Sequence, residues 1–414
     1  MIGRSFFCVK RRAGKLKYCV SLDTHKQRIY NITKVALQTI KNKGVKYMKI
    51  LFAADTVPTK ISEPLFINGD VETLFTDVLP LMQNADRMVV NLECALTETD
   101  EKIKKFGPNL KAHPACVKTI KKAGITDIML ANNHVFDFGV NGLVDTVETL
   151  KKAGLPYAGV GNNDTDSRKI YYIEQDNKKI AIVNVCEHEY TYALPNRMGA
   201  NPFDPFITMQ DVREAKRTAD FVVVIYHGGK EHCRYPSPRL RNLCREMVLN
   251  GANAVLCQHS HCIGCYEKYE NGHIMYGQGN FHFAEPIEGE KWNTGMLIEL
   301  DFTDKVDIKF YPFELQGASI TLAKGETYDS VMSTFEQRNQ ELLNGKWKDG
   351  WVEFCHSVKW YFDALYNVKA EEPNTVERFA HYLDCEAHTD VWRELFTTWN
   401  LTNETEEEKS NKKI

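Results

Sequence analysis

The sequence predicts an α/β protein whose helices cover a largely buried sheet. Three observations carry this reading: short apolar runs alternate with amphipathic stretches, glycines stand where those stretches stop, and most runs finish on an acid, an amide or a histidine. The runs are KILFAAD (49–55), RMVVNLE (87–93), DIMLANN (127–133), KIAIVNV (179–185), FVVVIYH (221–227), NAVLCQH (253–259) and GHIMYGQGN (272–280). Each holds about four to seven apolar or β-branched residues, too few for a buried helix and bounded by turn formers, so each reads as a strand. Between them PACVKTIKKAG (114–124), GLVDTVETLKKAG (142–154) and SPRLRNLCREMVLNGA (237–252) show helical spacing with Gly near the end. Continuous apolar strands separated by helices are the pattern of layered α/β folds. Later, IKFYPFELQG (308–317) reads as a late strand or return loop, residues 327–400 turn helical and Trp-rich, and NETEEEKSNKKI is a polar tail expected to be disordered. The expected organisation is a main domain over 48–320, a helical C-terminal region over 321–402 and the tail over 403–414.

The formal charge of −3 conceals an asymmetry. Residues 1–47 carry twelve Lys and Arg against one acid, Asp23, so setting aside that leader's +11 leaves −14 for the rest. Such a leader has three readings: a transit-like segment, a nucleic-acid arm, or sequence upstream of the true start. The third is preferred, because Met48 opens MKILFAADT, a start into a first buried strand. An acidic body repels a polyanion backbone, so no nucleic-acid partner is expected. SFFCV is too short for a secretory core, and no apolar run approaches the ~18–20 residues that span a bilayer. With twelve cysteines and no export signal, the expectation is reduced thiols in a cytoplasmic protein without a membrane span. An intact mass beginning at Met48 is the expected measurement, and one that includes Met1 would refute the preferred start.

The strand ends carry the chemistry. Asp55, Glu93, Asn133 with His134, His227, and His259 with His261 all stand where runs finish, the place where ligands gather in open α/β sheets. Asp55 and Glu93 are hard oxygen ligands, Asn133 offers a carbonyl, and the three histidines are borderline nitrogen ligands. That mixture suits one or two Mn²⁺, Zn²⁺ or Fe²⁺ ions better than Ca²⁺ or a Cys-rich finger. Two such ions activate a water and stabilise both oxygens of an in-line displacement. His134, beside Asn133, is placed to protonate a leaving group or orient the nucleophile. His259 and His261 are two apart, so on an extended strand end they face one side. Each motif also has a plainer reading: Asn133 as a helix cap, His227 as a core histidine, and Cys262-x-x-Cys265 as buried thiols without a zinc-finger partner pair. Convergence favours the functional reading for the histidines and the plainer one for the thiols.

VVNLECALTE, LANNHVFDFGVNGL, YHGGKEHCRYPSPRLR, GANAVLCQHSH and IMYGQGNFHF, in that order, resemble the motifs of the CapA family of capsule and poly-γ-glutamate synthesis proteins. These proteins are related to the calcineurin-like metallophosphoesterases, and the resemblance covers about residues 48–285. It implies a four-layer α/β/β/α sandwich, here with a helical C-terminal extension, and a metal site at the strand ends. Asp55 would be the first-strand ligand, Glu93 the bridging-type carboxylate and Asn133 a ligand. His227, His259 and His261 would complete the shell, and His134 would be the acid or oxyanion stabiliser. Asn280 would be a supporting or substrate-facing position. Read from the residues themselves, Asn91, Asn132 and Asp137 are supporting candidates, with Asp137 buttressing His134, while CEHEY (186–190) offers Glu187, His188 or Glu189, and the loop after His227 offers Glu231 and Arg234, as substrate contacts. One departure stands out: the family's Asp-x-His becomes Asp55-Thr56-Val57, one histidine short. The function implied is a metal-dependent hydrolase using a metal-activated water on a phosphoester or an anionic capsule polymer. The alternative is a non-catalytic accessory or polymer-binding protein.

Overall fold

The computed structural model describes residues 48–402 apart from residue 288; the basic leader and the polar tail lie outside the described residues. The principal strands in chain order are β1 (Met48–Val57), β2 (Arg87–Leu92), β3 (Asp127–Met129), β4 (Tyr157–Ala158), β5 (Tyr171–Gln175), β6 (Lys178–Cys186) and β7 (Phe221–His227). They continue with β8 (Ala254–Gln258), β9 (Tyr266–Tyr269), β10 (Gly272–Met275), β11 (Asn280–Phe283), β12 (Thr294–Phe302), β13 (Val306–Gln316) and β14 (Ser319–Leu322). One sheet has the order β14-β13-β12-β1-β2-β3-β4, with β11 pairing the outer end of β1; the other has the order β9-β10-β8-β7-β6-β5.

Three hydrophobic layers order these sheets. Ile50, Phe52 and Val89 of the first sheet meet Ile182, Val223 and Leu256 of the second in one buried cluster. The outer face of the first sheet packs Val90 and Ile128 under Phe66, Ile120 and Leu143, which belong to helices α1 (Glu63–Asn68), α2 (Cys116–Lys122) and α3 (Gly139–Ala153). The outer face of the second packs Val183 and Val224 under Val212, Leu243 and Met247, from α4 (Pro205–Thr218) and α5 (Pro238–Leu249). Both faces of each sheet are therefore covered, which is why the strands read as continuous apolar runs. The result is the four-layer α/β/β/α sandwich. Local chemistry agrees with it: α5 opens on Ser237, whose hydroxyl accepts the Leu240 N–H, with Pro238 in the first turn.

One strand assignment needs correction. GHIMYGQGN, read as a single run, divides into β10 in the second sheet and β11 in the first. The break is forced at Gly277, where a Cβ would meet Ser260 Oγ at 2.6 Å, and at Gly279, whose φ is +74°. The chain thus crosses from one sheet to the other beside the strand ends.

The C-terminal region is helical as expected: α6 (Gly325–Asn344), α7 (Trp347–Ser357), α8 (Tyr361–Tyr366), α9 (Pro373–Asp384) and α10 (Glu386–Thr402). It shares one compact unit with the sheets and has its own core of Trp351, Tyr361, Tyr382 and Trp392. Its attachment is ionic as well as apolar. Arg239 at the head of α5 binds Glu187 at 2.9 Å and Asp390 of α10 at 2.8 Å, both carboxylates being buried. Arg239→Ala would strand both acids, so unfolding in denaturant is expected to lose about 3–5 kcal/mol. Lys104→Ala, which breaks an exposed pair with Glu377, is expected to lose less than about 1 kcal/mol. Equal losses would show that Arg239 does not anchor the helices.

Candidate metal centre

Strand register assembles the site. Asp55 on β1 lies opposite Asn91 on β2 and opposite Asn280 on β11. In the second sheet His227 on β7 lies opposite Cys186 and Gln258, one residue before His259. Sandwich packing then faces these two rows toward each other. Asn91 Nδ2 donates to Asp55 Oδ1 at 2.9 Å and lies 3.2 Å from His227 Nδ1. His227 Nε2 lies 2.9 Å from Asn133 Oδ1 and 3.2 Å from Glu93 Oε1. His261 Nδ1 is 3.5 Å from Asp55 Oδ2 and 2.8 Å from Asn280 Oδ1. Ligand atoms of Glu93, His227 and His259 lie within 4.8 Å of one another, as do those of Asp55, Glu93 and His261.

The geometry of the histidine pair differs from its expected form. His259 and His261 stand past the end of β8 with φ of 82° and 52°, in left-handed rather than extended backbone. Their rings still converge, with centroids 5.9 Å apart. The turn, with the Asp55 carboxylate accepting the His259 N–H at 3.0 Å, aims both rings at the first sheet. Left-handed backbone at a non-glycine residue costs about 1–2 kcal/mol.

Supporting groups fill in behind. Asn132 Nδ2 donates to Asn91 Oδ1 at 3.0 Å, and Asn132 Oδ1 takes the His134 N–H at 3.1 Å. Asp137 Oδ2 holds His134 Nδ1 at 2.7 Å. Lys105 reaches both His134 Nδ1, at 3.2 Å, and the other Asp137 oxygen. Nothing in the residue pattern marks Lys105, which sits in an ordinary basic run; Glu189, one of three candidates on the loop after β6, is the one that turns inward, its Oε2 accepting Asn133 Nδ2 at 2.9 Å. Glu231 forms a further group with His259 and His261, beside the metal shell rather than only toward substrate. One candidate turns elsewhere: Glu187 accepts hydrogen bonds from Tyr226, Arg239 and the Ala387 N–H. The Arg234 carbonyl accepts the Cys265 thiol. Val57, where the family histidine would stand, packs in the outer core of the first sheet. The ten cysteines of the described residues are all free and buried.

Electrostatics shows what the cluster lacks. Both Glu93 oxygens are buried without a hydrogen bond, as is His259 Nδ1. Burial and then the charges of Glu231 and Glu189 push Glu93 well above the carboxylate range. Burial chiefly lowers His227 to about 4 and His259 and His261 to about 3. The imidazoles therefore stay neutral with lone pairs to offer, around acids that have no countercharge. A buried anion without a partner is costly, and a divalent cation is the group this donor set fits.

The fold and this cluster define an α/β sandwich protein with a carboxylate–histidine centre suited to a divalent metal. The model of the family described as bacterial capsule synthesis protein PGA_cap matches residues 35–285, and the chain belongs to that family. The match opens ahead of Met48, inside the basic leader. Capsule biosynthesis protein CapA of Bacillus anthracis is 29% identical over 259 residues, 60% of this chain and 63% of that protein. PGA biosynthesis protein CapA of Bacillus subtilis (strain 168) is 30% identical over 243 residues, 56% of this chain and 63% of that protein. The chain thus spans less than two thirds of these relatives' length. A 5'-nucleotidase precursor from Thermus thermophilus superposes with a TM-score of 0.37 at 12% identity, covering 65% of this chain and 55% of that one. No described helix is long and apolar enough to cross a membrane.

Burial and then the Glu93 carboxylate push Asp55 up to about 7. A raised folded-state pKa stabilises the fold where the acid is protonated, and that contribution is lost as pH rises through it. Asp55→Asn, which cannot ionise, is expected in chelator to gain melting temperature over the parent as pH rises from about 4 to about 8. Added Mn²⁺ is expected to reverse the order. A difference that does not change with pH would contradict the assignment.

Proposed function

We propose that this protein is a metal-dependent hydrolase of capsular or poly-γ-glutamate polymer metabolism. One observation carries the reading: Glu93, buried with both oxygens free of hydrogen bonds, faces neutral imidazoles across the seam between two sheets, with the Asp55 carboxylate beside it on its own sheet. A structural salt bridge would have satisfied those oxygens with protein donors; here acceptors are collected instead. Asp55, Glu93, Asn133, His227, His259 and His261 would hold the metal, with Glu231 beside the last two. When bound, the metal supplies Lewis acidity, polarising the bond under attack and making water a stronger nucleophile.

The remaining residues act without it. Asp137 fixes His134 Nδ1, which leaves Nε2 as the nitrogen for proton exchange with substrate. Lys105, paired with Asp137, sits beside His134 and lines a groove of about 530 Å³ that mixes charges, with Lys104, Glu377 and Asp384 around Tyr190 and His381.

A second reading, a non-catalytic metal-binding accessory protein, draws support from Val57, whose packing in the core removes one family ligand. Loading the full chain with Mn²⁺, Zn²⁺ or Fe²⁺ and offering an aryl phosphodiester, a phosphomonoester and γ-glutamyl oligomers separates the two. His227→Ala is expected to lose metal and turnover together. His134→Ala should keep the metal while kcat falls by about 10²–10⁴. Metal bound with no turnover of any probe would leave the accessory reading standing, and turnover untouched by either substitution would remove the hydrolase.

A further inference from the structure

We propose that Glu189, Cys385 and His388 form a separate transition-metal site, which clips the first turn of α10 to the α/β body. Their ligand atoms lie within 4.8 Å of one another, and all three residues are buried. Cys385 stands in extended backbone at the junction of α9 and α10, and His388 follows in the first turn of α10. Glu189 comes from the loop after β6. Neither α10 residue falls within the part of the chain that matches the family, which ends at residue 285.

The surroundings orient each ligand. The Tyr361 hydroxyl pairs with His388 Nδ1; with that N–H donating to the phenol oxygen, Nε2 is left with its lone pair. This is the outer contact that orients metal-ligating histidines. Glu189 is anchored through Oε2 by Asn133, while its Oε1 stands 3.8 Å from His259 Nε2, so the carboxylate lies between the strand-end cluster and α10. The Cys385 thiol donates to Glu187 Oε2 at 3.3 Å. On binding, the S–H bond breaks, the sulfur ligates as thiolate and the proton leaves to solvent. A sulfur, nitrogen and oxygen set of this kind selects Zn²⁺ or Co²⁺ over the harder Mn²⁺ and leaves a fourth position for water.

Cobalt distinguishes this site from the strand-end centre, whose ligands include no thiol. The full chain, stripped with chelator and titrated with Co²⁺, is expected to show a thiolate-to-cobalt charge-transfer absorption. It should vanish in Cys385→Ser, which exchanges one atom, and persist in His227→Ala. Tyr361→Phe is expected to weaken the cobalt affinity by about 10–100-fold, and His388→Gln to abolish the band while keeping a polar group toward Tyr361. No band in the parent would overturn the site, as would a band that survives Cys385→Ser. A band lost in His227→Ala would show that the two centres are one. A parent chain that shows the band but turns over none of the probes would count against the proposed function and leave this site standing.

Discussion

Everything at the strand ends follows from one imbalance: more acceptors are buried there than protein donors can satisfy. Asp55, Glu93, Asn133 and three imidazoles converge, and the amide that reaches Asp55 and His227 is that of Asn91, itself held by Asn132. Burial makes the carboxylates reluctant to ionise and the imidazoles reluctant to protonate. A protein built for stability alone would fill this volume with apolar side chains. The asparagines serve orientation, each turning its amide so that one partner is held and the next is aimed, and Glu93 is left for something the chain does not itself contain.

The helices after residue 320 are part of the same design. Their cation anchor at Arg239 and their aromatic core set α9 and α10 over the loops that follow β6 and β7. Tyr190 stacks against His381 with centroids 6.1 Å apart, and Glu386 pairs with His188 at 2.7 Å. The CEHEY loop is therefore divided between two tasks. Glu187 and His188 attach the helices, and Glu189 faces inward to Asn133.

How much of this could be read in advance depended on how locally each feature is encoded. Strands and helices were legible because sheets buried on both faces leave unbroken apolar runs, and the strand-end acids and histidines were legible because they interrupt those runs. The crossing from β10 to β11 was hidden, since GHIMYGQGN has the composition of one strand and only the two glycines hint at the break. Lys105 was hidden because a buried lysine and a solvated one look alike in a basic stretch. Glu187 looked equivalent to Glu189 in sequence; which way a loop side chain turns is decided by partners far along the chain, Arg239 for Glu187 among them. The turn at His259 and His261 was misjudged for a related reason: alternation describes strands, and these residues lie just past one.

The crossing between sheets has a mechanical consequence. Gln258 at the end of β8 donates to the Ala53 carbonyl of β1 at 3.4 Å, and Gln278 donates to the Phe52 carbonyl at 3.2 Å, while the two amides meet at 3.3 Å. The two sheets are riveted at the end that carries the metal-competent groups. At the opposite end, a cleft of about 710 Å³ runs between Lys178, Phe221, Lys268 and Thr303. That end is fastened too, Lys178 Nζ donating to the Thr303 carbonyl and Phe221 packing on Phe302 with centroids 5.3 Å apart, so the sandwich is pinned at both ends like a clasp with two catches, and the spacing between Asp55 and His227 is held from either side.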